Sequence, residues 1–167
     1  YAPLAEIASK FPGKAIPFVS DIPGGGEGFQ LLGAHNRNNA RAAVTVAELM
    51  GVSHNAIRTA LSQCKPLPHR LHYVGTWRNI LFYDDAISTT PESTIAALRS
   101  ISPVGTLFLG GADRGYSFAA LAHAVLQRRI PNIVLFPDTG MKINKELGAI
   151  TPAPLCIMET KSMRDAV

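Results

Sequence analysis

"GTLFLGG", residues 105–111, is a short, unbroken apolar run that ends on a pair of glycines. It is too brief for a helix and does not alternate, so it reads as a strand covered on both faces. "NIVLF" (132–136) and "PLCIM" (154–158) repeat the pattern. Helical stretches at about 117–129 and 139–148 lie between them, and another helix begins near Thr160. Strand and helix take turns, which predicts a parallel sheet in an open α/β layer fold.

Moving upstream, "RLHYVG" and "NILFYDD" read as strands around a turn at Thr76–Asn79. Thr90 then caps a helix that carries Pro91 at its first position. "CKPLPHR", residues 64–70, holds two prolines and reads as an extended linker, with residues 1–66 in one domain and 67–167 in another. Before the linker, a helix from about Asn36 to Met50 stops at Gly51, and Ser53 caps a second helix to about Gln63. In the first 30 residues Pro3, Pro12, Pro17 and Pro23 prevent any long helix. Gly24–Gly26 with Gly28 lack the G-x-x-x-x-G-K-[ST] phosphate-loop pattern and lead into a strand-like "FQLL", so they read as a turn between strands. No internal repeat or low-complexity segment is visible.

The first helix poses a chemical question. Ala40, Ala43, Val44 and Ala47 recur at core-facing spacing, and Asn36 and Asn39 extend that stripe toward the helix start. Asn36 can serve as the N-cap. Asn39 then falls inside the first turn, where a buried amide needs three or four partners. Capping and a ligand edge are both open from this segment alone.

Composition narrows the function classes. With 47% hydrophobic content in 167 residues the chain can bury a core, as one domain or as a domain with part of another. A net charge of +4 comes from scattered Lys and Arg, with Arg128–Arg129 the only adjacent pair, and aromatic content is 7%. That pattern does not describe a nucleic-acid groove, whereas anionic small molecules suit it. Cys64 and Cys156 have no partner spacing and read as thiols of a reducing compartment, and no run approaches the length of a membrane span. His35, His54, His69, His72 and His123 show no zinc-type spacing, and there is no G-x-S-x-G elbow. Tyr1 in place of Met, without a signal-peptide pattern, reads as the start of a piece of a longer cytoplasmic protein.

In a parallel α/β sheet, ligands gather beyond the carboxyl ends of the strands. "YDDAISTTPEST" places Asp84 and Asp85 at such an end, followed by Ser88, Thr89 and Thr90 at a helix start. "LGGADRGYSF" places Asp113 and Arg114 after Gly110–Gly111 and ahead of another helix. Hydroxyls and free N–H groups at a helix start suit an anion, and an Arg offers a two-pronged fork for a carboxylate or phosphate. The plain alternatives are capping for Thr90, a solvated Asp113–Arg114 ion pair and a hydrogen-bonded turn at Asp84.

"GAHNRNNARAA", "LPHR", "FYDDAISTTPEST" and "FLGGADRG" occur in the order and spacing of the Mur ligases, and over roughly residues 28–165 the chain resembles that family. It is most similar to the branch that adds glutamate to UDP-N-acetylmuramoyl-L-alanine in peptidoglycan precursor synthesis. The resemblance implies a Rossmann-like C-terminal domain with an open, mainly parallel sheet, preceded by the helical tail of a central ATPase domain. It implies a nucleotide site with Asn39 facing the ATP adenine beside Asn36, and with Arg70 and Asp85 on ribose and phosphates. Ser88, Thr89 and Arg114 fall at the glutamate site. Family members use ATP and magnesium to make an acyl phosphate that the glutamate amine attacks. The P-loop, the carbamylated lysine, the catalytic residues and the magnesium ligands are expected before Tyr1, and the last strands after Val167. The implied partners are these small molecules, with no nucleic acid and no membrane, and the protein is expected to be a monomer. Two departures stand out: Ile87 replaces the lysine of D-S-K-A-T-N, and Arg114 stands where Lys is common. An L-glutamate-adding or other Mur-type ligase fits these departures; the alternative from another class is a non-catalytic nucleotide-binding or amidotransferase-partner subunit on the same fold, which fold alone does not decide.

Overall fold

The computed structural model describes residues 2–150 and 155–166. Pro154, which opens the run "PLCIM", lies outside them. Residue contacts divide the chain into two units, Tyr1–Leu31 with His35–Lys65, and Leu32–Ala34 with Pro66–Val167.

The first unit contains helices α1 (Ala2–Lys10), α2 (Ala34–Leu49) and α3 (His54–Gln63), with one 3₁₀ turn at Pro23–Gly26. α3 starts where the Ser53 side chain accepts from the Ala56 N–H at 3.3 Å. α2 stops at Gly51, whose φ of 77° lets its N–H reach the Glu48 carbonyl while Val52 N–H reaches that of Ala47. Ile22, Ala40, Val44 and Ile57 form the core, with Val19, Phe29, Ala47 and Leu61 against it. The buried Thr45 hydroxyl donates to the Arg41 carbonyl and accepts from Val19 N–H, and Arg41 Nε donates to the Val19 carbonyl at 2.6 Å.

Three expectations are corrected in this unit. α2 begins at Ala34, so Asn36 is not its N-cap but lies within the first turn. The buried arc runs from Ala40 and Val44 round to Thr45, which leaves Ala43 and Asn39 exposed. Two more turns of that outer face carry Val46 and Met50, also exposed. "FQLL" is not a strand either; the glycine turn hands Phe29 directly to the core.

The second unit opens with a hairpin of β1 (His72–Trp77) and β2 (Ile80–Asp84), paired antiparallel. The turn is tighter than its sequence suggests. Arg78 and Asn79, at φ 47° and 65°, make a two-residue turn of the left-handed kind that matches strand twist. Arg78 places its guanidinium 4.3 Å from the centre of the Trp77 ring, a contact that helps hold that conformation.

Then α4 (Pro91–Ser100), β3 (Thr106–Gly111), α5 (Ala119–Gln127), β4 (Asn132–Asp138), α6 (Thr139–Ile150), β5 (Cys156–Glu159) and α7 (Met163–Ala166) follow. The parallel sheet has the order β3-β4-β5, with Leu107 opposite Ile133 and Ile133 opposite Ile157. The α/β alternation with a parallel sheet is thus present, while the hairpin forms a separate sheet.

Successive strands step in one direction, and right-handed crossovers then put their helices on one side. Leu107, Leu109, Ile133, Leu135 and Ile157 all point to that side and pack with Ile95, Leu98, Leu121, Val125, Ile143 and Leu147. The opposite face carries the stacked Phe108–Phe136 pair, 6.3 Å between centroids, and Met158. Phe108 is 39% exposed and Met158 49%, while Val134 between them on the same face is 6% exposed, so the second face is covered only in part, at the middle strand.

Candidate functional site

β2 delivers Asp84 and Asp85 to a turn that is tied to the residues preceding β1. Asp85 Oδ1 accepts the Leu71 N–H at 2.7 Å, and its Oδ2 accepts the Ser88 hydroxyl at 2.5 Å. Asp84 Oδ2 pairs with His69 Nδ1 at 2.6 Å, and its Oδ1 accepts the Ala86 N–H at 3.0 Å. Ile87 N–H closes the clasp by donating to the His69 carbonyl. His69 and Leu71 adopt positive φ, which costs of order 1 kcal/mol each and persists because both flank these bonds.

Arg70, Asp85 and Ser88 are therefore brought together, with Arg70 exposed between two tethered neighbours. Asp84 is the hydrogen-bonded turn residue of the plain reading, with His69 as an added partner. Each Asp85 oxygen has one internal donor, and a carboxylate oxygen can accept another, so capacity for a ligand remains.

The hydroxyls that follow divide by task. Thr90 accepts from Ser93 N–H and is spent on capping α4. Thr89 is exposed and makes no side-chain hydrogen bond among the described residues.

At the end of β3 the chain passes close to β4. A Cβ on Gly110 would lie 2.5 Å from Phe136 Cβ, so only glycine fits there. The buried Thr139 hydroxyl, at the start of α6, donates to the Gly111 carbonyl at 2.9 Å. Asp113 Oδ1 accepts the Gly115 N–H at 2.9 Å, and Oδ2 forms an ion pair with Lys142. The solvated Asp113–Arg114 pair is thus not what forms; the charge of Asp113 belongs to Lys142. Arg114 is exposed, with no ion pair or hydrogen bond among the described residues.

Both acidic groups are shifted. The Ala86 N–H, then the His69 hydrogen bond, hold Asp84 below the usual carboxylate range. Lys142, then the Gly115 N–H, do the same for Asp113. A carboxylate lowered in the folded state adds stability above its unfolded pKa of about 4, and loses it as pH falls through the lower folded value. Thermal midpoints measured downward from pH 5 should therefore fall, and Asp84→Asn should flatten that fall. An unchanged slope would mean that the clasp contributes nothing.

The two strand-end segments hang from different sheets, and among the described residues no hydrogen bond or ion pair joins them. Asn36 is half-buried on α2; Asn39 is exposed with its amide unbonded among the described residues, not aimed at the interior. Among those residues no three His, Cys, Asp or Glu side chains cluster for a metal ion. No helix is long and apolar enough to cross a membrane, and Cys64 and Cys156 are free and exposed.

Sequence reasoning missed Lys142, Thr139 and the backbone of Leu71. Lys142 lies 29 residues from Asp113, and only the parallel crossover brings them together.

No family model matches the chain. It is 33% identical over 131 residues to a UDP-N-acetylmuramoylalanine–D-glutamate ligase of Citrifermentans bemidjiense, covering 78% of this chain and 29% of that protein. A protein of the same name from Halalkalibacterium halodurans is 36% identical over 137 residues, 82% of this chain and 30% of its own length. The chain thus spans less than a third of these relatives. Among solved structures, UDP-N-acetylmuramate–alanine ligase from Thermotoga maritima superposes at a TM-score of 0.64 with 18% identity, covering 81% of this chain and 31% of that one. MurF from Acinetobacter baumannii gives 0.61 at 22% identity, with 80% and 30% covered. These two share the fold.

Proposed function

We propose that this chain, which is similar over most of its length to proteins named as UDP-N-acetylmuramoylalanine–D-glutamate ligases, belongs to the Mur ligases and forms part of an ATP-dependent ligase joining D-glutamate to UDP-N-acetylmuramoyl-L-alanine. One observation carries the reading: the ordered match, over most of the chain, to relatives named as D-glutamate ligases. The site geometry supports it. Among the described residues the Arg114 guanidinium, on a loop held by its neighbours, and the Thr89 hydroxyl, beside a helix start, make no side-chain hydrogen bond. Both suit the carboxylates of an amino acid.

The nucleotide falls to the other set. Asn39 can donate to and accept from the N6/N7 edge of adenine. Arg70 can meet a phosphate, and Asp85 can accept a ribose hydroxyl on its remaining lone pairs. The reaction moves the γ-phosphoryl group to the carboxylate of the UDP-linked substrate; the glutamate amine then displaces phosphate and forms the amide. Residues of this chain contribute placement and charge neutralisation, the two things such a transfer most depends on. The group that cradles the phosphates and any magnesium ligands are assigned to parts of the ligase outside this sequence. The protein is read as cytoplasmic and monomeric.

The test is a steady-state assay of the complete ligase, following ADP release with D- and with L-glutamate. Turnover with the D-isomer supports the reading, and turnover confined to L-glutamate or to another amino acid overturns it. In the same assay Asn39→Ala should raise the ATP KM and weaken discrimination against GTP, a loss of about 1–3 kcal/mol for a two-point base contact. An unchanged nucleotide preference would remove Asn39 from the adenine. The 167-residue chain alone should show no ATP turnover, because a phosphate-cradling lysine is absent from its motifs.

A further inference from the structure

We infer that Lys142 is a positioning residue for the loop that carries Arg114: by holding Asp113 from the first turn of α6, it fixes residues 110–115 so that Arg114 stays exposed, with no hydrogen bond or ion pair among the described residues.

The inference rests on how that loop is secured. Its first half is fixed by contact, since Gly110 runs against Phe136 and the Gly111 carbonyl takes the buried Thr139 hydroxyl. Its second half has one fastening among the described residues, the Asp113 carboxylate. One oxygen of that carboxylate folds the loop back by accepting Gly115 N–H, and the other is gripped by Lys142. The positive φ of Gly115, 77°, accommodates this fold.

An arginine adjacent to an aspartate ordinarily competes for it. Here the ammonium of Lys142 takes the carboxylate, and the guanidinium is left with no ion pair among the described residues. Lys142 thus does two things at once. It immobilises the backbone that carries Arg114, and it removes the acid that would occupy Arg114. The second effect matters to any anion, because a guanidinium already paired must break that pair before binding. Asp113 sits below its usual carboxylate range mainly through this same ammonium, so the grip persists across neutral and mildly acidic pH.

This deepens the proposed glutamate site and depends on Arg114 meeting a glutamate carboxylate, so the test separates the two claims. Lys142→Ala, Lys142→Arg, Arg114→Ala and the double variant are compared in the complete ligase, varying glutamate and ATP in turn. Lys142→Ala should raise the glutamate KM several-fold with the ATP KM unmoved, and Lys142→Arg should recover most of the loss. The double variant should be no worse than Arg114→Ala, because Lys142 acts through Arg114. Effects that multiply would mean that Lys142 touches the substrate itself, which overturns the inference. So would a normal glutamate KM in Lys142→Ala beside a raised one in Arg114→Ala. If Arg114→Ala leaves the glutamate KM unchanged, the glutamate reading fails. Amide exchange at Gly115 then decides the loop: faster exchange in Lys142→Ala upholds the positioning role, and equal exchange refutes it. Lys142 is half exposed at the surface of α6, so its replacement leaves the fold intact.

Discussion

Arg114→Ala in the complete ligase is expected to raise the KM for D-glutamate by one to two orders of magnitude and to leave the KM for ATP unchanged. The size follows from losing a charge-assisted hydrogen bond, roughly 1.5–3 kcal/mol. The selectivity follows from the division of labour: the nucleotide is assigned to Asn39, Arg70 and Asp85. Arg114→Lys should recover only part of the loss, since an ammonium keeps the charge but cannot present the planar fork. The folded structure should not change, because among the described residues the guanidinium makes no hydrogen bond or ion pair that its removal would break. A rise in the ATP KM with glutamate unaffected would move Arg114 to the nucleotide.

Leu147→Ala should be the most damaging single truncation for stability. Leu147 is wholly buried on α6, in the cluster that joins the helices to the parallel sheet. Deleting its isobutyl group removes transfer energy and leaves a cavity, together about 2–5 kcal/mol. For a unit of this size that lowers the melting midpoint by roughly 10–20 °C, read by calorimetry on the isolated chain. A shift of only a degree or two would mean that the core collapses to fill the space. Leu147→Met, which conserves volume, should cost far less.

The elements read most reliably were those with chemistry at their ends. Thr90 followed by Pro91, Ser53 before α3 and Gly51 after α2 each mark a boundary through one local interaction, which a sequence displays in full. The apolar runs of β3, β4 and β5 were equally plain. What they could not convey was coverage, because a run reads the same whether its second face is buried or open.

Asn39 was misread for a related reason. The alanines of α2 are small enough to sit on either side of the helix, so Ala43 drew the inferred stripe the wrong way. Arg41 and Thr45, polar in composition, actually lie along the buried arc, through bonds to the Val19 backbone. The hairpin turn was legible at Thr76–Asn79, but its tight two-residue form was not, because Arg78–Asn79 lacks the glycine that usually announces left-handed backbone. Of the site, the acidic and hydroxyl residues at the strand ends were legible as chemistry. Their partners were not: His69 is 15 residues from Asp84, and Lys142 reaches Asp113 only after α5 and β4 have been laid down.

The pairing distances along the chain divide the second unit in time as well as in space. In the hairpin Trp77 meets Ile80 across two residues, whereas Thr106 must find Asn132 and Asn132 must find Cys156. Closing those longer loops costs more chain entropy, by about 2 kcal/mol on a logarithmic scale. The hairpin therefore forms early, yet two strands with largely exposed side chains hold together only weakly. The parallel sheet assembles late and, once its core closes, opens seldom. Asp85 hangs from the quick and yielding element, Arg114 from the slow and durable one. Local breathing of the folded protein consequently loosens the Asp85 clasp far more often than it disturbs the Arg114 loop.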